Sequence, residues 1–195
     1  VMNLGILLVQ RLVDSFGAVT MAAFAAAVKI DSFAYLPVQD FGNAFSTFTA
    51  QNYGAGQSSR IKEALKKATI LSAAFSSAAA AAVFIFAEPL MRIFVSASET
   101  EVIAAGVRYL HIEGVFYAGI GCLFLLYGFY RAVEKPGMSV VLTVISLGTR
   151  VLLAYLLAGI IGETGIWISV PIGWLLADIT GYGYCILKRK RLFSD

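Results

Sequence analysis

The chain has 195 residues, with 15 Lys and Arg against 12 Asp and Glu and a formal net charge of +3. Only 14% of its residues are charged and 59% are hydrophobic, at a mean hydropathy of +0.80. Soluble domains carry about 25% charge, so this composition excludes an ordinary water-soluble fold.

The apolar residues come in long blocks. Ile70 to Ala87 holds no charge, and Met138 to Ile161 holds only Arg150. Stretches of about 18 to 25 apolar residues match a hydrocarbon core about 30 Å thick at 1.5 Å rise per residue. The reading is an all-α, polytopic membrane helical bundle with six segments: residues 1–15 (partial), 21–52, 63–87, 101–130, 138–160 and 166–187. The first block ends before Asp14 and has no basic leader or cleavage site, so it is not a signal peptide. The chain is expected to begin inside a helix and to be a fragment of a longer protein.

The second segment carries Lys29, Ser32, Asp40, Asn43, Thr47 and Gln51 close to one helical face, with Leu36 in the gap. Ionisable groups in mid-membrane cost about 2.5–3.5 kcal/mol each on insertion scales, so this stripe is expected to face a cavity or the bundle interior. Pro37 frees the Phe33 carbonyl and is expected to bend the helix beside that cavity, as hinges do in secondary transporters. The alternative for Lys29 and Asp31 is a place near the interface, where they snorkel; Asn43 and Thr47 could equally pack against neighbours.

The loop that follows reads Gln51-Asn52-Tyr53-Gly54-Ala55-Gly56-Gln57-Ser58-Ser59. It lacks the lysine of a phosphate loop and the third glycine of a dinucleotide fingerprint. Gly54 and Gly56 are read as turn glycines at positive φ, with Ser59 capping an amphipathic entry helix of Arg60 to Ala68. Ser98 with Glu101 resembles a capping box, which would start the fourth segment. That segment holds His111, read as an interfacial residue, and Glu113; Arg150 lies in the fifth and Asp178 in the last. Glu113 and Asp178 are candidates for a proton or cation site, or for structural pairing with Arg150 or Arg11. In the last segment Gly173, Ala177 and Gly181 recur every four residues, a small-residue face for helix packing.

Arg60, Lys62, Lys66, Lys67, Arg131, Lys135 and the tail Lys188 to Arg191 fall in alternate loops, whereas the opposite loops hold only Arg92. The positive-inside rule then places the C-terminus in the cytoplasm of a plasma (inner) membrane protein. One histidine and the cysteines Cys122 and Cys185, both in apolar blocks, give zinc almost no ligands; no metal site or disulfide is expected. No protease, hydrolase or acidic metal motif is present, so the chain is not read as an enzyme, and no basic–aromatic pattern points to nucleic acid.

Several stretches together resemble the C-terminal half of multidrug and toxin extrusion (MATE) transporters. The main one is Ala22-Ala23-Phe24, Lys29-Ile30, Pro37, Phe41 to Phe48, Ala50 to Gly56 and Arg60-Ile61. Leu90 to Val95, Tyr130-Arg131-Ala132 with Lys135-Pro136, and Ile166-Trp167 with Ser169 to Ile172 agree. The resemblance implies twelve helices in two six-helix lobes related by a pseudo-two-fold axis. The chain would be the second lobe, with the N-terminal lobe of the same polypeptide as its partner. The implied activity is efflux of organic cations or other small amphiphiles by alternating access, coupled to H⁺ or Na⁺ and needing no cofactor. Many sodium-coupled members carry a glutamate in the seventh helix and an aspartate within the tenth. Here Gln10 stands in the first and Tyr117 to Cys122 fill the middle of the second, leaving Glu113 as the candidate substitute. A flippase for lipid-linked precursors and a non-transport membrane scaffold are the alternatives.

Overall fold

The computed structural model describes residues 2–188 and Leu192. Among the described residues seven helices follow in order: α1 (Met2–Asp14), α2 (Ala18–Gly54), α3 (Ser58–Phe94), α4 (Thr100–Gly114), α5 (Tyr117–Ala132), α6 (Pro136–Ile161) and α7 (Glu163–Leu187). Helices α2, α3, α6 and α7 are each long and apolar enough to cross a membrane, and α4 with α5 makes a fifth span bent by 54°. Many large apolar residues between Ile70 and Ile186 stand exposed on these helices, such as Ile85, Leu152, Ile160 and Ile179, the surface a lipid-facing bundle presents.

Two differences from the sequence reading concern helix breaks. The segment expected to run unbroken over 101–130 is split at Val115 and Phe116. Phe116 takes φ −105° and ψ 12°, so its amide turns out of the helical ladder and bonds instead to the Glu113 carbonyl at 2.9 Å. The bend expected at Pro37 is not a break: α2 keeps helical geometry from Ala18 to Gly54. The interruption falls in α3 at Phe86 (φ −104°, ψ 16°), three residues before Pro89. Pro89 has no N–H for the Ile85 carbonyl, and its ring crowds the preceding turn. Here His111 Nε2 meets the neighbouring Phe84 carbonyl at 3.1 Å, with its ring stacked on Phe84.

The helix starts also differ in chemistry. Helix α3 begins at Ser58 with Gln57 before it, and α4 begins at Thr100 with Glu99 before it. Neither Ser59 nor Ser98 caps; the Ser98 hydroxyl lies 3.0 Å from that of Ser96. Gly54 is the last residue of α2, and only Gly56 of the pair takes a positive φ, +67°. Pro136 opens α6 in its first turn, where a missing N–H costs nothing.

Short connections reverse the chain, so the lobe has two ends: a basic end with the 55–57 and 133–135 connections, near Arg60, Lys62, Arg131 and Lys135, and a far end with the 95–99 and 162 turns. Phe45, Leu65, Leu126, Phe129, Tyr130, Leu142 and Trp174 pack a core toward the basic end. Phe24, Ile30, Val83, Met91, Leu110, Tyr117 and Trp167 pack another toward the far end. Helix α5 runs through the middle, and small residues let its neighbours close on it. A Cβ on Gly42 of α2 would sit 2.9 Å from the Phe124 carbonyl oxygen, and one on Gly128 would strike the Gly42 carbonyl. Gly173, Ala177 and Gly181 are all buried: Gly173 lies against the Ser146 backbone of α6, and Gly181 against Leu126 and Leu142. The Tyr130 hydroxyl ties α5 to α7 by donating to the Gly181 carbonyl at 2.6 Å. At the far end Glu163 joins three helices: it accepts from Thr20 Oγ1 at 2.6 Å and pairs with Arg108 at 2.7 Å.

Candidate functional site

The far-end core is not wholly apolar. Asp31 of α2 is 2% exposed, and its two carboxylate oxygens accept from Tyr109 Oη of α4, at 2.7 Å, and from Tyr117 Oη of α5. Glu113 of α4, 3% exposed, lies beside Asp31 and Tyr109, with Arg150 of α6 close enough to act on both acids. Counted from the far ends of their helices, Asp31, Glu113 and Arg150 all lie roughly 17–20 Å deep at 1.5 Å per residue. Three charged side chains from three helices thus converge at one level of the bundle.

The helix break builds this convergence. Glu113 is the penultimate residue of α4 and Tyr117 the first of α5, so the 54° bend aims both toward α2. Aromatic rings wall the site: Trp167 stacks on Phe24 at 5.5 Å and meets Tyr109 edge-on at 5.0 Å. Glu113 Oε1, Arg150 Nε and Trp167 Nε1 are buried without a hydrogen-bond partner. Among the described residues neither Glu113 nor Arg150 joins an ion pair; the pairs are Lys67–Glu63, Arg92–Glu88 and Arg108–Glu163. A buried polar atom left unpaired costs about 1–3 kcal/mol. Two carboxylates and two phenols offer only oxygen ligands to anything held there, the ligand set of a proton or a hard cation. Among the described residues no group of three His, Cys, Asp or Glu side chains forms.

The sequence-predicted residues divide among three places. Glu113 joins Asp31 at the far-end site. Asp178 lies on the other side of α5, where a Cβ on Gly119 would be 3.5 Å from its Oδ2, and its Oδ1 is buried without a partner. Asp40, Asn43, Thr47 and Gln51 are exposed on the face of α2 turned away from Asp31. Of these, Asn43 Oδ1 accepts from Arg131 Nη2 of α5 at 3.0 Å, and Thr47 bonds back to the Asn43 carbonyl at 3.4 Å. Gln10 donates to Asp14 at 2.9 Å within α1, away from Glu113. Lys29 is exposed, with its Nζ 5.8 Å over the Phe94 ring. Pro37 is exposed inside α2, and Gly54 and Gly56 lie at the turn into α3. The tail cluster Arg189 to Arg191 lies outside the described residues.

Sequence reasoning missed Asp31 as a partner of Glu113, and with it Tyr109 and Tyr117. The signal was present: Ala23, Ala27, Ala34, Val38 and Gly42 recur at helical spacing, and Asp31 shares their face. A carboxylate set among small residues faces the bundle, not the interface.

The MatE family model matches residues 1–156. A probable multidrug resistance protein of Bacillus subtilis, YpnP, is 27% identical over 195 residues, 98% of this chain and 43% of that relative. A protein of Shewanella oneidensis named as an FAD transporter is 28% identical over 163 residues, 83% of this chain and 36% of that relative. The crystal structure of a Vibrio cholerae MATE transporter, VcmN, superposes with a TM-score of 0.90 at 22% identity, covering 99% of this chain and 44% of that one. The chain thus spans less than half the length of these relatives.

Proposed function

The chain belongs to the MatE family, and from that premise we propose that the protein it forms exports small amphiphilic molecules across a membrane, driven by inward movement of H⁺ or Na⁺. On this reading the chain is one six-span lobe, the other being the N-terminal half of the same polypeptide, and substrate passes between the two by alternating access. The basic loops face the cytoplasm of the plasma (inner) membrane, and the chain acts as a carrier, not an enzyme. The names of the Bacillus and Shewanella relatives, a multidrug resistance protein and an FAD transporter, support a transport role.

The observation that carries the coupling is the buried pair of Asp31 and Glu113 at the break between α4 and α5. Two carboxylates side by side in a low-dielectric core cannot both stay ionised without a partner. The unpaired Arg150 Nε and the two phenols supply part of the compensation, and a proton or a sodium ion supplies the rest. An arrangement that gains or loses a cation at the bend of a discontinuous helix can bias which end of the lobe is open.

The test is transport by the full-length protein in an efflux-deficient host and in proteoliposomes with an imposed H⁺ or Na⁺ gradient. Gradient-driven dye export is expected, and Asp31→Asn or Glu113→Gln should lower it at least tenfold while the protein still inserts and stays monodisperse. Export at the wild-type rate by both variants would remove the pair from the mechanism. No gradient-driven movement of any dye by the intact transporter would remove the transport reading itself.

A further inference from the structure

A cavity of about 550 Å³ opens between α2, α5 and α6 toward the basic end, well apart from the acid pair. Pockets for small molecules run about 300–1,000 Å³, with an apolar lining and a few placed polar groups. Here Phe124 and Tyr127 form one wall, their rings 6.4 Å apart and edge-to-face, and Val140 and Val144 form the facing wall. The polar groups are Gln39 and Asn43 of α2, Arg131 of α5, and the hydroxyls of Tyr127, Ser139 and Thr143. Arg131 is the sole charge among the lining residues.

The hydrogen bonds fix what is left over. Arg131 gives one Nη2 proton to Asn43 Oδ1 at 3.0 Å and its Nε proton to the Tyr127 carbonyl at 3.3 Å. These hold the guanidinium in place and leave its Nη1 group free, since arginine has five N–H donors. Asn43 uses its oxygen in that contact, so its amide N–H groups also remain. The hydroxyls on the α6 wall are spent on backbone: Ser139 donates to the Tyr127 carbonyl at 3.3 Å, and Thr143 to the Ser139 carbonyl at 2.9 Å. The nearby acids do not line the cavity. Asp40 is one residue along from Gln39 but is not among the lining residues, Glu134 lies in the loop after α5, and Asp178 sits behind Tyr127 on α7.

A donor-rich rim around one fixed cation, above an aromatic wall, complements an acceptor-rich ligand. We propose that this cavity is a substrate site for aromatic amphiphiles bearing an oxyanion, a carboxylate or a phosphate, in place of the organic cations that the family resemblance implies. The inference rests on the transport reading above. Arginine takes an oxyanion through paired N–H donors, and Phe124 and Tyr127 take the ring. A cationic dye would meet the guanidinium with no carboxylate in the lining to offset it.

The test uses the full-length transporter in proteoliposomes with an imposed cation gradient, carboxyfluorescein as the anionic probe and rhodamine 6G as the cationic one. The expected result is gradient-driven movement of carboxyfluorescein. Arg131→Gln should reduce it at least tenfold, Arg131→Lys should retain an intermediate rate, and rhodamine movement should not fall in parallel but hold or rise in Arg131→Gln, where the opposing charge is gone. Benzoate and phenyl phosphate should compete, the stronger competitor marking which oxyanion is preferred; competition by neither overturns the proposal. So does a wild-type protein that moves rhodamine but not carboxyfluorescein, or an Arg131→Gln variant that moves carboxyfluorescein normally. If Arg131→Gln does not fold, Val140→Trp fills the cavity from the opposite wall, and normal carboxyfluorescein transport by that variant overturns the proposal. Movement of neither dye by the wild type refutes both the transport reading and this site.

Discussion

The contact between α2 and α5 is backbone against backbone, and substituting its two glycines tests it directly. A Cβ at position 42 would stand 2.9 Å from the Phe124 carbonyl oxygen and 3.0 Å from its carbon, where ordinary contact begins near 3.4 Å. The helices must therefore part by about half an ångström. A Cβ at position 128 lands closer still, on the Gly42 carbonyl, with Ser46 Cβ at 3.3 Å behind it. Overpacking of this kind costs about 1–3 kcal/mol, and Gly→Ala within a helix returns roughly 0.5–1 kcal/mol. The expected net loss is about 1 kcal/mol for Gly42→Ala and about 2 kcal/mol for Gly128→Ala, or a fall in Tm of roughly 2–8 °C on the scale of a chain this size. Gly183→Ala is the internal control, because nothing lies within 4 Å of its new Cβ. Thermal unfolding of the full-length protein in detergent measures all three. The double variant should lose less than the sum of the singles, since one separation of α2 from α5 relieves both clashes. Gly128→Ala as stable as Gly183→Ala, or fully additive losses, would refute a close α2–α5 crossing.

Three further outcomes follow from named contacts. Tyr117→Phe removes one of the two phenol donors to Asp31, and a hydrogen bond to a charged group contributes about 1.5–3 kcal/mol; unfolding should register that loss, and no change in stability would deny the bond. Glu163→Gln keeps an acceptor for Thr20 but breaks the pair with Arg108, whose side chain is 57% exposed; the unfolding free energy should fall by no more than about 1 kcal/mol, and a larger change would mean the far-end junction matters more than its exposure allows. Gly56→Ala places a Cβ at φ +67° with open space around it, so it should cost about 1–2 kcal/mol of backbone strain while Gly56→Asn costs less; equal stability of the two would contradict the left-handed turn.

The spans were legible because a hydrocarbon core demands long apolar runs, and those runs survive any detail of packing. The breaks within them were not. Pro89 fell two residues beyond the segment read as 63–87, so its effect on Phe86 was invisible, whereas Pro37 drew attention but left α2 helical. The split at Val115 and Phe116 has no proline at all; only Gly114 marks it, and a single glycine is ordinary in a membrane helix. Site residues follow the same logic. Glu113 stood out as an acid deep in an apolar run, which a sequence shows. Its pairing with Asp31 depends on which face of α2 meets α4 and α5, and that is set by the Gly42 and Gly128 contact, a property of two helices at once. Polarity alone favoured the opposite face, from Asp40 to Gln51, because four polar side chains outweigh one.

That division gives α2 its place in the protein. One face holds Asp31 against the phenols at the bend of α4 and α5; the other places Gln39 and Asn43 on the rim of the cavity at Arg131. Asp31 and Asn43 are separated by about 18 Å along the axis, at 1.5 Å per residue. Between them the helix is unbroken, because Pro37 leaves its geometry helical, so the two faces belong to one continuous helix. The cavity's other wall belongs to α5, which also carries Tyr117 at the acid site and Arg131 at the rim. Both sites are therefore built across the same pair of helices, clamped at Gly42 and Gly128. Asn43 and Arg131 lie one and three residues from the clamp glycines, so the rim is held where α2 and α5 meet most closely, whereas Asp31 and Tyr117 each lie eleven residues from them.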